Sequence, residues 1–175
     1  MNKRDIIFEY ILQHGIDNYA MKNMLHLRRA ELERREPFFQ TVEINGLCRL
    51  LCYMTNCNFI NRHLTEQKAF ADKGMLCALI FNIVNRLGGP LVLSSSSYKG
   101  SVTITLRGSF NYTPNTFELK LINKLRAASI FYTFNEKGVL ILKFMRSNSR
   151  PTAHISAEEM LLNPLSDAYI FLNNI

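Results

Sequence analysis

The segment from Asp72 to Pro90 constrains the fold of this 175-residue chain more than any other. Asp72 is a good helix N-cap, and Gly88-Gly89 before Pro90 is a typical helix stop. Apolar side chains surround nearly the whole helix between them: Met75, Leu76, Leu79, Ile80, Ile83 and Val84. Such a helix has to be buried, so the rest of the chain must supply the layers that cover it.

Strand and helix patterns follow one another on both sides of this helix. Strand patterns fall at 38–44, 59–64, 91–95 and 102–106, with a hairpin from 130–134 and 139–144. A helix is predicted from Asn45 to Met54, and another opens at Thr113-Pro114. The order predicts an α+β fold, a two-layer sandwich with helices on one face of a mixed β-sheet.

The first 36 residues read as an N-terminal helical element with a break at Gly15. Its second helix starts at the N-cap Asp17 and presents an apolar stripe that needs cover: Met21, Met24, Leu25 and Leu32. The stripe predicts a dimer interface. We therefore expect three parts: a helical segment (1–36), the α+β domain (37–146) and a C-terminal tail (147–175).

The net charge of +7 is concentrated in the middle of the chain. Residues 37–146 carry thirteen basic and five acidic side chains, an excess of eight. These basic residues are spread singly, a pattern that favours a solvated face or an acidic protein partner over nucleic acid. The apolar run 75–84 is far shorter than the ~20 residues of a membrane span. Asp5 and Glu9 interrupt any signal-peptide core, so we expect a cytoplasmic protein without membrane contact.

Metal and nucleophile motifs are missing from the sequence. The four cysteines form no Cys-x-x-Cys pair and are expected to be structural thiols: Cys48, Cys52, Cys57 and Cys77. The four histidines are scattered, and neither a P-loop nor Gly-x-Ser-x-Gly is present. No metal and no cofactor are predicted.

Several stretches resemble the ATP-binding domain of bacterial sensor histidine kinases, which is shared with gyrase, the 90-kDa chaperone and MutL. Residues 36–47 (EPFFQTVEINGL) resemble the link from the kinase dimerisation hairpin into the first strand. Residues 71–87 resemble the helix that carries the family's N-box, and 117–127 with 130–144 resemble its last helix and closing hairpin. The resemblance covers about 110 residues. It implies a histidine-kinase-like ATPase fold, with 1–36 similar to a hairpin remnant and 163–172 similar to the ends of small Firmicute kinases.

The sequence departs from this family at each nucleotide-binding motif. Aligned through Asn82, the family's magnesium-binding Asn is replaced by Arg86, and Asn85 lies one residue early, about 100° around the helix. After strand 102–106, Arg107 stands where the family has an adenine-binding Asp, and residues 113–119 contain no Gly for a phosphate loop. These four residues, Asn82, Asn85, Arg86 and Arg107, therefore define a degraded nucleotide site.

The resemblance and its departures favour a catalytically inactive, nucleotide-free domain that acts as a signalling or protein-interaction module. Its expected partner is a second copy, a response regulator or a kinase. The alternative is a histidine phosphotransferase that passes phosphate to a response regulator through His26 or His14. A third hypothesis is weak nucleic-acid binding through Lys120, Lys124 and Arg126. Whether the chain is a stand-alone protein or part of a kinase stays open.

Overall fold

The computed structural model describes residues 3–54, 57–61, 67–126, 132–153, 163 and 166–172. The helices are α1 Lys3–His14, α2 Asn18–Arg34, α3 Ile44–Met54, α4 Lys73–Leu87, α5 Thr116–Arg126 and α6 Asp167–Leu172. The strands are β1 Gln40–Glu43, β2 Cys57–Asn61, β3 Lys68–Ala71, β4 Leu91–Tyr98, β5 Ser101–Arg107, β6 Tyr132–Glu136 and β7 Val139–Met145. Five strands form one sheet in the order β2-β4-β5-β7-β6, and β1 pairs with β3 in a second, two-stranded sheet.

Helix α4 is the buried centre that its sequence predicts. Every residue from Met75 to Val84 is buried. Asp72 caps the helix by accepting a hydrogen bond of 2.9 Å from the Met75 amide. The helix ends at Gly88, whose φ of 60° lies in the left-handed region that favours glycine.

The five-stranded sheet is mixed, and one of its faces is covered. β2 runs parallel to β4, whereas the other pairs are antiparallel. Along β7 the side chains alternate, with Leu140, Leu142 and Phe144 buried between half-buried neighbours. The predicted α+β class, with helices packed on a mixed sheet after an N-terminal helical element, is confirmed.

Several element boundaries differ from the prediction. Strand β3 was missed, because its four residues are too few to show a period. Helix α3 begins at Ile44 rather than at Asn45, and the carboxylate of Glu43 caps it by accepting hydrogen bonds from the Asn45 and Gly46 amides at 2.7 Å each. Helix α5 begins at Thr116 rather than at Thr113-Pro114. Residues 62–64 and 130–131 of the predicted strands lie outside the described residues.

The N-terminal and C-terminal segments both pack on the helical layer. Helix α2 contacts α1, α5 and α6, and α6 packs against α4. Phe171 of α6 is buried and stacks on Phe117 of α5 with ring centroids 5.8 Å apart. The Arg28 guanidinium of α2 holds the Asp167 carboxylate of α6 through two hydrogen bonds. Helix α6 is therefore part of the core, although the sequence predicted only a tail there.

Candidate functional site

The site at which the sequence predicts a degraded nucleotide pocket contains a buried carboxylate, Glu118. This residue is the third of helix α5, and Asn115 precedes the helix as its N-cap. The Glu118 amide donates to Asn115 Oδ1 at 2.8 Å, while the Asn115 amide donates to Glu118 Oε2 at 3.1 Å. This reciprocal pair is a capping box, and it fixes the carboxylate in a fully buried position.

Arg86 is the charge partner of Glu118. Its Nε lies 3.0 Å from Glu118 Oε1 and its Nη2 lies 2.8 Å from Oε2, a bidentate pair. Nη2 also donates to the Thr113 carbonyl at 2.7 Å, and the guanidinium lies 5.7 Å from the centre of the Tyr112 ring. Hydrogen bonding to Glu118 raises the pKa of Arg86, which stays charged. The side chain at the family's magnesium position therefore neutralises a protein carboxylate.

The side-chain amide of Asn82 is hydrogen-bonded within the same network. Its Nδ2 donates to Glu118 Oε1 at 2.7 Å, and its Oδ1 accepts from Arg29 Nη2 of helix α2 at 2.8 Å. Tyr112 also donates its hydroxyl to Glu118 at 3.1 Å, and burial raises the pKa of this phenol. We call this group the Glu118 cluster: Arg29, Asn82, Arg86, Tyr112, Asn115 and Glu118. It joins helix α2, helix α4 and the segment that leads into α5.

The loop after β5, where the family has its adenine-binding motif, is closed against the β6–β7 turn. The Gly108 amide donates to the Gly138 carbonyl at 3.0 Å, and the Gly138 amide donates to the Phe110 carbonyl at 2.8 Å. Gly138 has a φ of 75°, and a Cβ there would lie only 2.6 Å from the Gly108 carbonyl oxygen. Phe110 packs against the core. Only eight residues, 108–115, connect β5 to α5.

The structure brings together only part of the predicted site. Asn82 and Arg86 share the Glu118 cluster, whereas Asn85 is exposed on α4 and Arg107 is exposed at the end of β5. Among the hydrogen bonds and ion pairs of the described residues, none joins Arg107 to Glu118. Sequence reasoning missed Glu118, although Asn115-x-x-Glu118 is the pattern of a capping box. It also missed Arg29, which reaches the site from another helix.

The predicted phosphoacceptors lie on the exposed surface of the N-terminal helices. His26 is exposed on α2. His14 is the last residue of α1, where its ring stacks on Tyr10 with centroids 4.5 Å apart and its Nδ1 lies 3.2 Å from the Tyr10 carbonyl. Phosphotransfer through either histidine stays a prediction.

The predicted dimer stripe is covered within the chain. Met21, Met24 and Leu32 are buried in the core cluster, and Leu25 is half-buried against it. The chain thus supplies the cover that the stripe was expected to find in a second copy. A homodimer through these residues stays a prediction, and it would require α2 to leave α5 and α6.

Two findings bear on the metal and membrane predictions. Among the described residues, no group of His, Cys, Asp or Glu side chains is arranged to hold a metal ion. No disulfide joins any of the four cysteines, all of which lie in the described residues, and burial raises the pKa of the Cys48 thiol. None of the helices in the described part of the chain combines the length and the apolar character of a bilayer span.

Comparisons with known proteins give structural neighbours only. No protein-family model matches the chain, and no curated protein matches its sequence. The histidine kinase AdeS of Acinetobacter baumannii is similar over 82% of this chain and 93% of its own, with 12% identity and a TM-score of 0.47. The histidine kinase ThkA, solved with the response regulator protein TrrA, is similar over 83% of this chain and 58% of its own, with 17% identity and a TM-score of 0.47. The histidine kinase domain of the Escherichia coli osmosensor EnvZ is similar over 70% of this chain and 98% of its own, with 10% identity and a TM-score of 0.43. All three are of the class that the sequence resemblance names.

Proposed function

We propose that this chain is a nucleotide-free, catalytically inactive relative of the histidine kinase ATP-binding domain, and that it acts as a protein-interaction module. The observation that carries the proposal is the bidentate ion pair between Arg86 and the buried Glu118. A magnesium-bound triphosphate needs oxygen or amide ligands on the metal and free donors for the phosphates. Here Arg86 and the Asn82 amide nitrogen are hydrogen-bonded to Glu118, and the Asn82 amide oxygen accepts a hydrogen bond from Arg29.

The charges at the site also disfavour the binding of ATP with magnesium. The single carboxylate of the Glu118 cluster is already neutralised by Arg86 and is fully buried. Freeing it for a metal ion would leave the Arg86 guanidinium beside the ion. Breaking a fully buried ion pair by removing one partner typically costs about 3–5 kcal/mol, and the cost here is lower because the Arg86 side chain is 40% exposed and can be hydrated. The short 108–115 loop also supports the proposal, because hydrogen bonds between Gly108, Phe110 and Gly138 hold it against the β6–β7 turn.

A thermal shift experiment tests this proposal. A ligand present at 100 times its Kd stabilises a protein by about 2.7 kcal/mol, which raises the melting temperature by roughly 5–10 °C for a chain of this size. We expect ATP with magnesium at 1 mM to leave the melting temperature unchanged within error. A rise that depends on both ATP and magnesium would contradict the proposal.

The alternative proposal is a histidine phosphotransferase that uses His26. Both histidines are exposed, but the His14 ring is held by its stack on Tyr10 and by the Tyr10 carbonyl, which favours His26. Incubation with a phosphorylated receiver domain would label the wild-type chain, and His26→Asn would abolish the label while His14→Asn would keep it. An unlabelled wild-type chain would reject this alternative. For both proposed functions, the sequence resemblance favours a response regulator or a kinase as the partner. We propose that the protein acts in the cytoplasm.

A further inference from the structure

A pair of cysteine side chains lies where the end of helix α3 meets strand β2. Cys52 is in the last turn of α3, and Cys57 is the first residue of β2. Helix α3 packs against this strand, with Cys57 in the hydrophobic core and Cys52 against it. The two side chains are hydrogen-bonded to one another through their sulfur atoms. Because the sulfurs are already in contact, a disulfide between them requires rotation of the side chains rather than movement of either element.

The other two cysteines are less accessible. Cys48 is fully buried, and Cys77 is 3% exposed. Burial raises the pKa of the Cys48 thiol, whereas oxidants react with the thiolate. Cys52, by contrast, is only half-buried, so a small oxidant can reach the pair through it. Access therefore distinguishes Cys52 and Cys57 from the other two thiols.

The hydrogen bond gives the two sulfurs different roles. It raises the pKa of the Cys52 thiol, so Cys52 keeps its proton. A hydrogen bond donated to a sulfur stabilises that sulfur as a thiolate, so Cys57 ionises first. A thiolate with a second thiol in contact is the arrangement found in redox-sensitive cysteine pairs.

We propose that Cys52 and Cys57 are a peroxide-sensitive thiol pair that closes to a reversible disulfide. The Cys57 thiolate attacks one oxygen of hydrogen peroxide, the O–O bond breaks, and the released hydroxide takes up the proton that Cys57 lost and leaves as water. Cys57 is then a sulfenic acid, oxidised by two electrons. The Cys52 sulfur next attacks the Cys57 sulfur, the S–O bond breaks, and hydroxide leaves with the Cys52 proton as a second water. Two thiols and one peroxide thus give one disulfide and two waters, and a dithiol reverses the reaction by exchange.

The disulfide would join the end of helix α3 to the first strand in the order of the five-stranded sheet. Disulfides in cytosolic proteins are usually transient and catalytic or redox-sensing, which agrees with a reversible bond in the compartment proposed above. Neither cysteine belongs to the Glu118 cluster. The pair therefore goes beyond the proposed function, and it can react whether or not the chain binds ATP.

Oxidation of the folded full chain with stoichiometric hydrogen peroxide tests the pair, followed by unfolding, alkylation with N-ethylmaleimide and mass mapping. Trypsin separates the cysteines into three peptides: 36–49 with Cys48, 50–62 with Cys52 and Cys57, and 74–86 with Cys77. We expect peptide 50–62 to lose the mass of two hydrogen atoms and to carry no maleimide, while the other two peptides carry one each. Treatment with dithiothreitol before alkylation should restore two maleimides to peptide 50–62.

Cys52→Ser should abolish the disulfide, and Cys48→Ser is the matched control that should keep it. The folded wild-type chain should form at least about tenfold more of this disulfide than of a cross-link to Cys48, because the Cys48 thiol is buried and stays protonated. The wild-type map decides the case by itself if a variant is unstable. The proposal is overturned if peptide 50–62 still carries two maleimides after peroxide, if it gains sulfinic acid without a disulfide, or if it is cross-linked to peptide 36–49 instead. Equal oxidation of peptide 74–86 would also overturn it, since the reaction would then not select the pair.

Discussion

At the scale of single residues, Glu118 holds the candidate site together. Its carboxylate accepts hydrogen bonds from Asn82, Arg86, Tyr112 and the Asn115 amide. Glu118→Ala removes the acceptor and leaves these donors unpaired in a buried site. Because the side chain of Arg86 is 40% exposed and can be hydrated, we expect a loss of about 2–4 kcal/mol in the free energy of unfolding, measured with urea. Glu136→Ala, at an exposed strand end, should change it by less than about 0.5 kcal/mol. Equal losses in both variants would contradict this role.

The contacts of the Asp72 carboxylate should make the stability of the protein depend on pH. Burial alone would raise the pKa of this carboxyl, but hydrogen bonds from Arg35 and from the Met75 and Phe38 amides outweigh burial and lower it from its ordinary value of 3.8. A lowered pKa in the folded state stabilises the protein above pH 3.8, and this stabilisation is lost as pH falls through the folded pKa. Asp72→Asn should therefore be less stable than the wild type by about 1–3 kcal/mol at pH 7. The difference should shrink below pH 3.8.

Thermal unfolding at neutral pH and near pH 3 measures this difference. Glu136→Gln, at an exposed strand end, serves as the control and should have a small effect in both measurements. A gap between wild type and Asp72→Asn that stays constant with pH would show that the carboxylate charge is not what stabilises the helix start.

At the scale of elements, the packing of helix α6 leads to a prediction about stability that the sequence did not suggest. Phe171 is 2% exposed and packs on Phe117. Phe171→Ala should lower the free energy of unfolding by about 3–5 kcal/mol, because it leaves a cavity between α4 and α5. Tyr98→Ala removes another aromatic ring, but one that is 70% exposed, and should have little effect in the same denaturant titration. If Phe171→Ala were as stable as Tyr98→Ala, the tail would not belong to the core.

The elements also show which predictions a sequence supports. Helix α4 was predicted with its cap, its stop and its burial because Asp72, the apolar run and Gly88 agree with one another. Strand β3 was missed because Lys68–Ala71 has no period of its own and is held by pairing with β1. Cover for α2 was assigned to a second copy, since periodicity shows that a stripe needs burial and does not show what buries it.

The candidate site divides in the same way. The departures from the family's nucleotide motifs at Arg86 and Arg107 could be read from the sequence, because each motif is local in sequence. Glu118, by contrast, takes its role from Arg86 on another element, 32 residues away. Such a contact leaves no local pattern, and only the fold brings the two side chains together.

At the scale of the whole molecule, the basic charge and the proposed loss of the nucleotide site are linked only in part. Arg86 is neutralised inside the Glu118 cluster, so it adds nothing to an anion-binding surface there. The N-terminal segment 1–36 has a net charge of only +1, from seven basic and six acidic residues, so the basic excess lies in residues 37–146.

The central claim is that the chain does not bind ATP, and isothermal titration calorimetry of the full chain with ATP and magnesium tests it most directly. A histidine kinase catalytic domain that binds ATP, titrated under the same conditions, serves as the positive control. The account predicts no binding heat beyond dilution, with or without magnesium. Magnesium-dependent binding at micromolar Kd would contradict it, since Arg86 and Glu118 would then have to part at the site where they now pair.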